Sequence, residues 1–118
     1  MDRDFVEHFA RDWIEAWNDH DLDRVLAHYT EDFVMHSPYI RQLAGVAEGR
    51  LQGKQAVGDY WRKALERMPD LRFELICALA GVSSITLHYR GAGGSLAAEV
   101  FHFTPDDLVH TAYAHYAV

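Results

Sequence analysis

The sequence predicts an α+β fold, a cone in which three helices from the N-terminal half pack inside a strongly curved, mostly antiparallel sheet. Two changes of pattern carry that expectation. Apolar residues recur at helical spacing from Phe5 onward and again over residues 54–68. After residue 70 the period shortens to two and stays there, so several consecutive strands follow the helices they must cover.

The first helix places Phe5, Val6, Phe9, Ala10, Trp13, Ile14 and Trp17 on one face and Asp4, Glu7, His8, Arg11, Asp12 and Glu15 on the other. Asn18 tolerates the left-handed conformation that ends a helix, and Asp21 is placed to cap the next, where Leu22, Val25, Leu26 and Tyr29 fall at i, i+3, i+4 and i+7. Phe33, Met35 and Ser37 then alternate with Val34 and His36 as in a two-faced strand, which Pro38 stops. Residues 39–53, loosened by Gly45, Gly49 and Gly53, read as a pocket-covering loop with a short strand near residues 47–51. Helical spacing returns with Ala56, Val57, Tyr60, Trp61, Ala64, Leu65 and Met68, and Pro69 ends it.

Four strands follow. Leu71, Phe73, Leu75, Cys77 and Leu79 alternate with mostly polar neighbours, Gly81 breaks the run, and Ile85, Leu87 and Tyr89 resume it. Gly91, Gly93 and Gly94 make a turn into a strand over residues 95–103, and Pro105-Asp106-Asp107 turns into a last strand over residues 108–117.

A chain of 118 residues suits one domain spanning 1–118, which buries roughly two-thirds of its unfolded surface. Eighteen acidic against eleven basic residues give a net charge of -7, which disfavours nucleic acid and anionic membrane as partners. A single cysteine excludes an internal disulfide, and its place in an alternating pattern makes Cys77 a buried structural thiol rather than a nucleophile. The acidic, amphipathic N-terminus has no leader pattern, so a cytoplasmic protein is expected.

The run AWNDHDLDRVLAHYTEDFVMHSP, with GKQAVGDYW opening the third helix and AEVFHF near the end, resembles the NTF2-like superfamily, especially its SnoaL-like and ketosteroid-isomerase-like members. The resemblance spans nearly the whole chain. It implies a cone with a pocket at its open end, and a homodimer through the outer sheet face, where Ile76, Ala78, Val100, Ala112 and Ala114 are expected. In the isomerase branch an aspartate before the proline moves the proton, while a helix-one tyrosine and a later-strand carboxylic acid hold the oxyanion. Here Ser37 and Trp13 take the first two positions, so the familiar steroid route is lost.

Glu99 in AEVFHF keeps the third. Phe101 and Phe103 share its face, and a carboxyl group among aromatics has its ionisation disfavoured, which suits a general acid or hydrogen-bond donor. A one-residue slip would turn it outward, at the cost of burying His102 and exposing two phenylalanines. The same alignment points Thr111, Tyr113 and His115 inward and His110, Ala112, Ala114 and Tyr116 outward, a facing that a bulge at the preceding turn would reverse. Glu99 and His115 form the candidate acid/base pair, with a core histidine as the alternative reading of His115. Ser37 and Tyr113 would orient a substrate, and Trp13, Trp17, Met35, Tyr60 and Phe101 would line its pocket. His36 belongs to the other strand face. With no H-E-x-x-H, cysteine-rich or phosphate-cradle pattern, no metal or cofactor is expected. The expected ligand is a small, largely apolar or aromatic, oxygenated metabolite, turned over by cofactor-free proton transfer (isomerisation, cyclisation or dehydration). The rival is a non-catalytic binding or protein-interaction module of the same fold.

Overall fold

The computed structural model describes residues 1–118. Helix α1 (Arg3–Asn18) begins where the Asp2 carboxylate accepts the Phe5 backbone N–H, and it buries Val6, Phe9, Ala10, Trp13, Ala16 and Trp17. Asp21 caps α2 (Leu22–Leu26) by accepting the Arg24 N–H. This helix is shorter than the apolar spacing predicts. Tyr29 instead opens β1 (Tyr29–His36) and is still fully buried, because the i+7 position of a helix and the first inward position of a strand meet the same core.

The expected loop holds a fourth helix. Ser37 accepts the Tyr39 N–H as N-cap, Pro38 supplies a first-turn residue with no N–H to satisfy, and Gly45 at φ 70° closes α3 (Pro38–Ala44). The serine and proline that stop the strand therefore also start a helix. Strand β2 (Arg50–Gln52) pairs antiparallel with β1, and α4 (Lys54–Arg67) buries Val57, Gly58 and Trp61.

Strands β3 (Glu74–Ala80), β4 (Ser84–Arg90), β5 (Leu96–Phe103) and β6 (Val109–Tyr116) complete a six-stranded sheet in the order β2-β1-β6-β5-β4-β3. Only β1 and β6 run parallel. The curved sheet wraps α1, whose Phe9 and Trp13 meet Phe101 edge to face at centroid distances of 5.0 and 5.3 Å.

Two bulges set which side chains face the core. In β3 the pairing jumps from Leu75 opposite Tyr89 to Cys77 opposite His88, an extra residue that reverses the alternation beyond it. Cys77 is consequently exposed rather than a buried thiol, and Leu79 is exposed with it. In β6 Val109 pairs with Phe103 but Thr111 pairs with His102. That one-residue shift points Ala112 and Ala114 into the core and leaves Tyr113 and His115 exposed, the reverse of the expected facing. The apolar outer face expected for a homodimer is changed by the same bulges: Ala112 and Ala114 are buried and Ala78 packs against the core, whereas Ile76 stays exposed and Val100 half-buried.

Candidate functional site

The open end of the cone contains a cavity of about 100 Å³ between α1, α3, α4 and the concave sheet. Trp13, Trp17, Tyr60, Trp61, Phe73 and Tyr89 give most of its apolar wall. Glu99 is the one carboxyl group among the lining residues, which include no lysine, arginine or histidine.

The β4–β5 hairpin puts Leu87 opposite Glu99 and Tyr89 opposite Ala97, so Tyr89 and Glu99 are diagonal neighbours on the concave face. The Tyr89 hydroxyl donates to Glu99 Oε1 at 3.0 Å. Glu99 is only 3% exposed. Burial pushes its carboxyl up to about 7, against the opposing effect of the Tyr89 hydrogen bond. Near neutral pH it therefore exists as both acid and carboxylate. Burial, reinforced by the Glu99 charge, also raises Tyr89 and Tyr116, so both phenols keep their protons and remain donors.

The other lining groups are largely committed. Trp13 Nε1 donates to the Tyr29 hydroxyl at 3.0 Å, and Ser37 Oγ caps α3 while its side chain stays buried beside Tyr116. Trp17 differs, since its buried indole Nε1–H has no partner within the protein. At the mouth, the α3 side chains Tyr39 and Leu43 are 41% and 48% exposed, and Tyr39 packs on Tyr116 with centroids 4.3 Å apart.

Of the residues singled out in the sequence, Glu99, Trp13, Trp17, Met35, Ser37 and Tyr60 meet at this cavity. Phe101 does not reach it and is a core residue against Phe9 and Trp13. Tyr113 and His115 lie on the outer face, where Tyr113 stacks on His36 at 4.2 Å. The expected Glu99–His115 pair is thus absent, because the β6 bulge points His115 away. Its place near Glu99 is taken by Tyr89 and Tyr116, which the sequence reading left out of the site. Tyr89 had a usable signal, since it alternates in step with Ile85 and Leu87. Tyr116 had none, because only the bulge brings it inward.

A second polar cluster, away from the cavity, ties α1 to the helix-to-strand turn. Asp12 binds Arg24 Nη2 at 2.6 Å and His28 Nε2 at 2.7 Å. It is a tertiary clasp: none of Asp12, Arg24 and His28 lines the cavity that holds Glu99.

The SnoaL-like domain model matches residues 10–115. The chain is 57% identical to a SnoaL-like protein of unknown function from Burkholderia thailandensis E264, covering 99% of this chain and 98% of that one at a TM-score of 0.96. An NTF2-like protein of unknown function from Burkholderia pseudomallei K96243 shares the fold at 18% identity and a TM-score of 0.77, over 96% and 91% of the two chains. So does SalBIII, described as an epoxide hydrolase/cyclase-like enzyme in pyran ring formation in the polyether salinomycin, at 15% identity and a TM-score of 0.78 over 99% and 94%. No curated protein matches the chain. No helix is long and apolar enough to cross a membrane.

Proposed function

This chain belongs to the SnoaL-like family of the NTF2-like superfamily, and from that premise we propose that its cavity binds a small, largely apolar, oxygenated molecule and moves a proton on it through Glu99. The observation that carries the reading is the Glu99 carboxyl, buried in the cavity wall and poised near pH 7. A group half ionised at working pH can both take and return a proton. In the simplest cycle the Glu99 carboxylate removes a proton from the carbon beside a ligand carbonyl. The C–H pair becomes the C=C of an enolate, the carbonyl oxygen gains the charge, and Glu99 becomes the acid. Tyr116, kept protonated at the cavity wall, supplies an O–H to that oxygen. Glu99 then returns the proton to the same or another carbon, giving exchange or isomerisation without a cofactor. Cyclisation and dehydration use the same acid form to protonate a departing oxygen.

The class of chemistry accords with an epoxide hydrolase/cyclase-like enzyme sharing the fold. A non-catalytic binding module is the second reading. It is favoured by Trp13 and Ser37, whose polar atoms are already engaged by Tyr29 and by the α3 N-terminus.

The test is proton exchange into deuterated water from the carbon beside the carbonyl of 2-cyclohexenone, followed by NMR. The wild type should accelerate exchange, and Glu99→Gln should abolish the acceleration while still binding the ketone. Equal exchange rates in the two proteins would transfer the reading to the binding module.

A further inference from the structure

We infer that the cavity also binds a small alkylammonium ion, with its N–H groups on Glu99 Oε2 and its methyl groups against the aromatic walls. This rests on the cavity being the functional site, and it goes beyond proton transfer by giving the site a cationic occupant that competes with a neutral ligand for Glu99. The grounds are the open carboxyl oxygen, the charges around it and the room beside it.

The open atom is Oε2. Tyr89 donates to Glu99 Oε1, and no other group of the protein bonds the carboxyl. Trp17 Nε1 is the only fully enclosed side-chain nitrogen or oxygen without a partner. The unpaired Oε2 therefore keeps open surface, and for a residue 3% exposed in the cavity wall that surface faces the cavity.

The surroundings select the sign of charge. An ionised Glu99 has no lysine, arginine or histidine beside it in the wall, so nothing in the cavity offsets its charge. An ammonium ion supplies the missing counter-charge, whereas an anion would lose its hydration and meet Glu99 with no cation to hold it. Trp13, Trp17, Tyr60, Trp61, Phe73 and Tyr89 line the same space, and aromatic rings attract a cation. The net charge of -7 draws cations toward the molecule as a whole.

Room sets the size. The cavity measures about 100 Å³, against about 150 Å³ for an apolar cavity that holds benzene. Two-thirds of benzene's size leaves about four non-hydrogen atoms, as in isopropylammonium. A ring enters only as Tyr39 and Leu43, exposed at the mouth, swing aside.

The same groups set the pH range. Besides Glu99, the ionisable lining groups are the phenols of Tyr39 on α3, Tyr60 on α4, Tyr89 on β4 and Tyr116 on β6, and Tyr29 on β1 lies near enough to feel the Glu99 charge. Burial raises Tyr29, Tyr60, Tyr89 and Tyr116, which stay neutral. Glu99, pushed up to about 7, changes its charge between about pH 5.5 and about pH 8.5. An alkylammonium keeps its proton throughout that range.

Isopropylammonium, 2-propanol and acetate share one size and differ in charge. Each is titrated into the protein and followed by NMR, through the carbon-13 signal of the Glu99 carboxyl and the tryptophan indole signals. At about pH 8.5 isopropylammonium should bind about tenfold more tightly than 2-propanol, the margin of a charge-assisted over a neutral hydrogen bond, and acetate should not bind. At about pH 5.5 the ammonium affinity should fall about tenfold or more as Glu99 takes up its proton, and bound ammonium should lower the Glu99 midpoint. Glu99→Gln should lose the preference for ammonium over 2-propanol, with indole signals like those of the wild type showing that its cavity is intact. Undiminished ammonium affinity in Glu99→Gln, no preference for ammonium in the wild type, acetate binding as tightly, or a Glu99 midpoint that ammonium leaves in place would each overturn the inference. Proton exchange from the ketone is read separately. Exchange without ammonium binding overturns this inference and leaves proton transfer standing, whereas ammonium binding without exchange does the reverse.

Discussion

Replacing Glu99 by glutamine should make the protein more stable in alkaline solution while changing little in acid. The folded-state pKa is raised from an ordinary 4.5 to about 7, because the buried carboxylate loses its water. Stability from such a group is fully present below 4.5 and is lost as pH rises through about 7, since the unfolded chain releases its proton first. The difference of 2.5 units, 7 minus 4.5, corresponds to about 3 kcal/mol. Glutamine has nearly the same shape as the protonated acid and never ionises. The variant and the wild type should therefore match below about pH 4 and diverge by about 3 kcal/mol near about pH 9, or on the order of 10 °C in midpoint for a domain of this size. Urea unfolding of both proteins across this range measures it. Subtracting one curve from the other removes the titration of the eight histidines common to both. A difference that stays constant with pH would mean Glu99 ionises as it does in water, and the argument for a buried, proton-holding carboxyl would fail.

Two other consequences are open to measurement. Tyr89→Phe removes the hydroxyl that donates to Glu99 Oε1 and favours its charged form, so the Glu99 titration should move above its wild-type position; a midpoint unchanged or lowered would show that the bond is not made in solution. Asp12→Asn should destabilise the protein by about 1 kcal/mol or more at neutral pH by weakening the contact to His28, and the variant should lose less stability than wild type on acidification. The direction follows from Asp12, where burial alone would raise the carboxyl but the bonds from Arg24 and His28 hold it below its ordinary range, so its contribution is lost as pH falls through that range. Denaturation curves at neutral and acidic pH check both parts, and identical acid sensitivity would remove Asp12 from the clasp.

The helices and the inward face of β4 and β5 were legible because burial there follows an unbroken period. Phe9, Trp13 and Trp17 on α1, and Ile85, Leu87, Glu99 and Phe101 on the sheet, all lie where 3.6-residue or two-residue spacing puts them. The misreadings share one cause. A bulge adds a residue without any marked change of composition, so Cys77 beyond the bulge in β3 and Tyr113 and His115 beyond the one in β6 were assigned the wrong face. Helix α3 was hidden differently. Its Ser37-Pro38 start serves equally well as the end of a strand, and its seven residues are too few to display a period. The carboxyl at the centre of the site and its partner Tyr89 were therefore readable from the sequence, whereas the exchange of His115 for Tyr116 depended on the single-residue bulge in β6.

The most direct test of the account is a carbon-13 NMR titration of the Glu99 side-chain carboxyl, assigned by its disappearance in Glu99→Gln. The account predicts a midpoint of about 7 in the free protein, displaced when a neutral cavity ligand binds. A midpoint near the ordinary 4.5, insensitive to ligand, would contradict it.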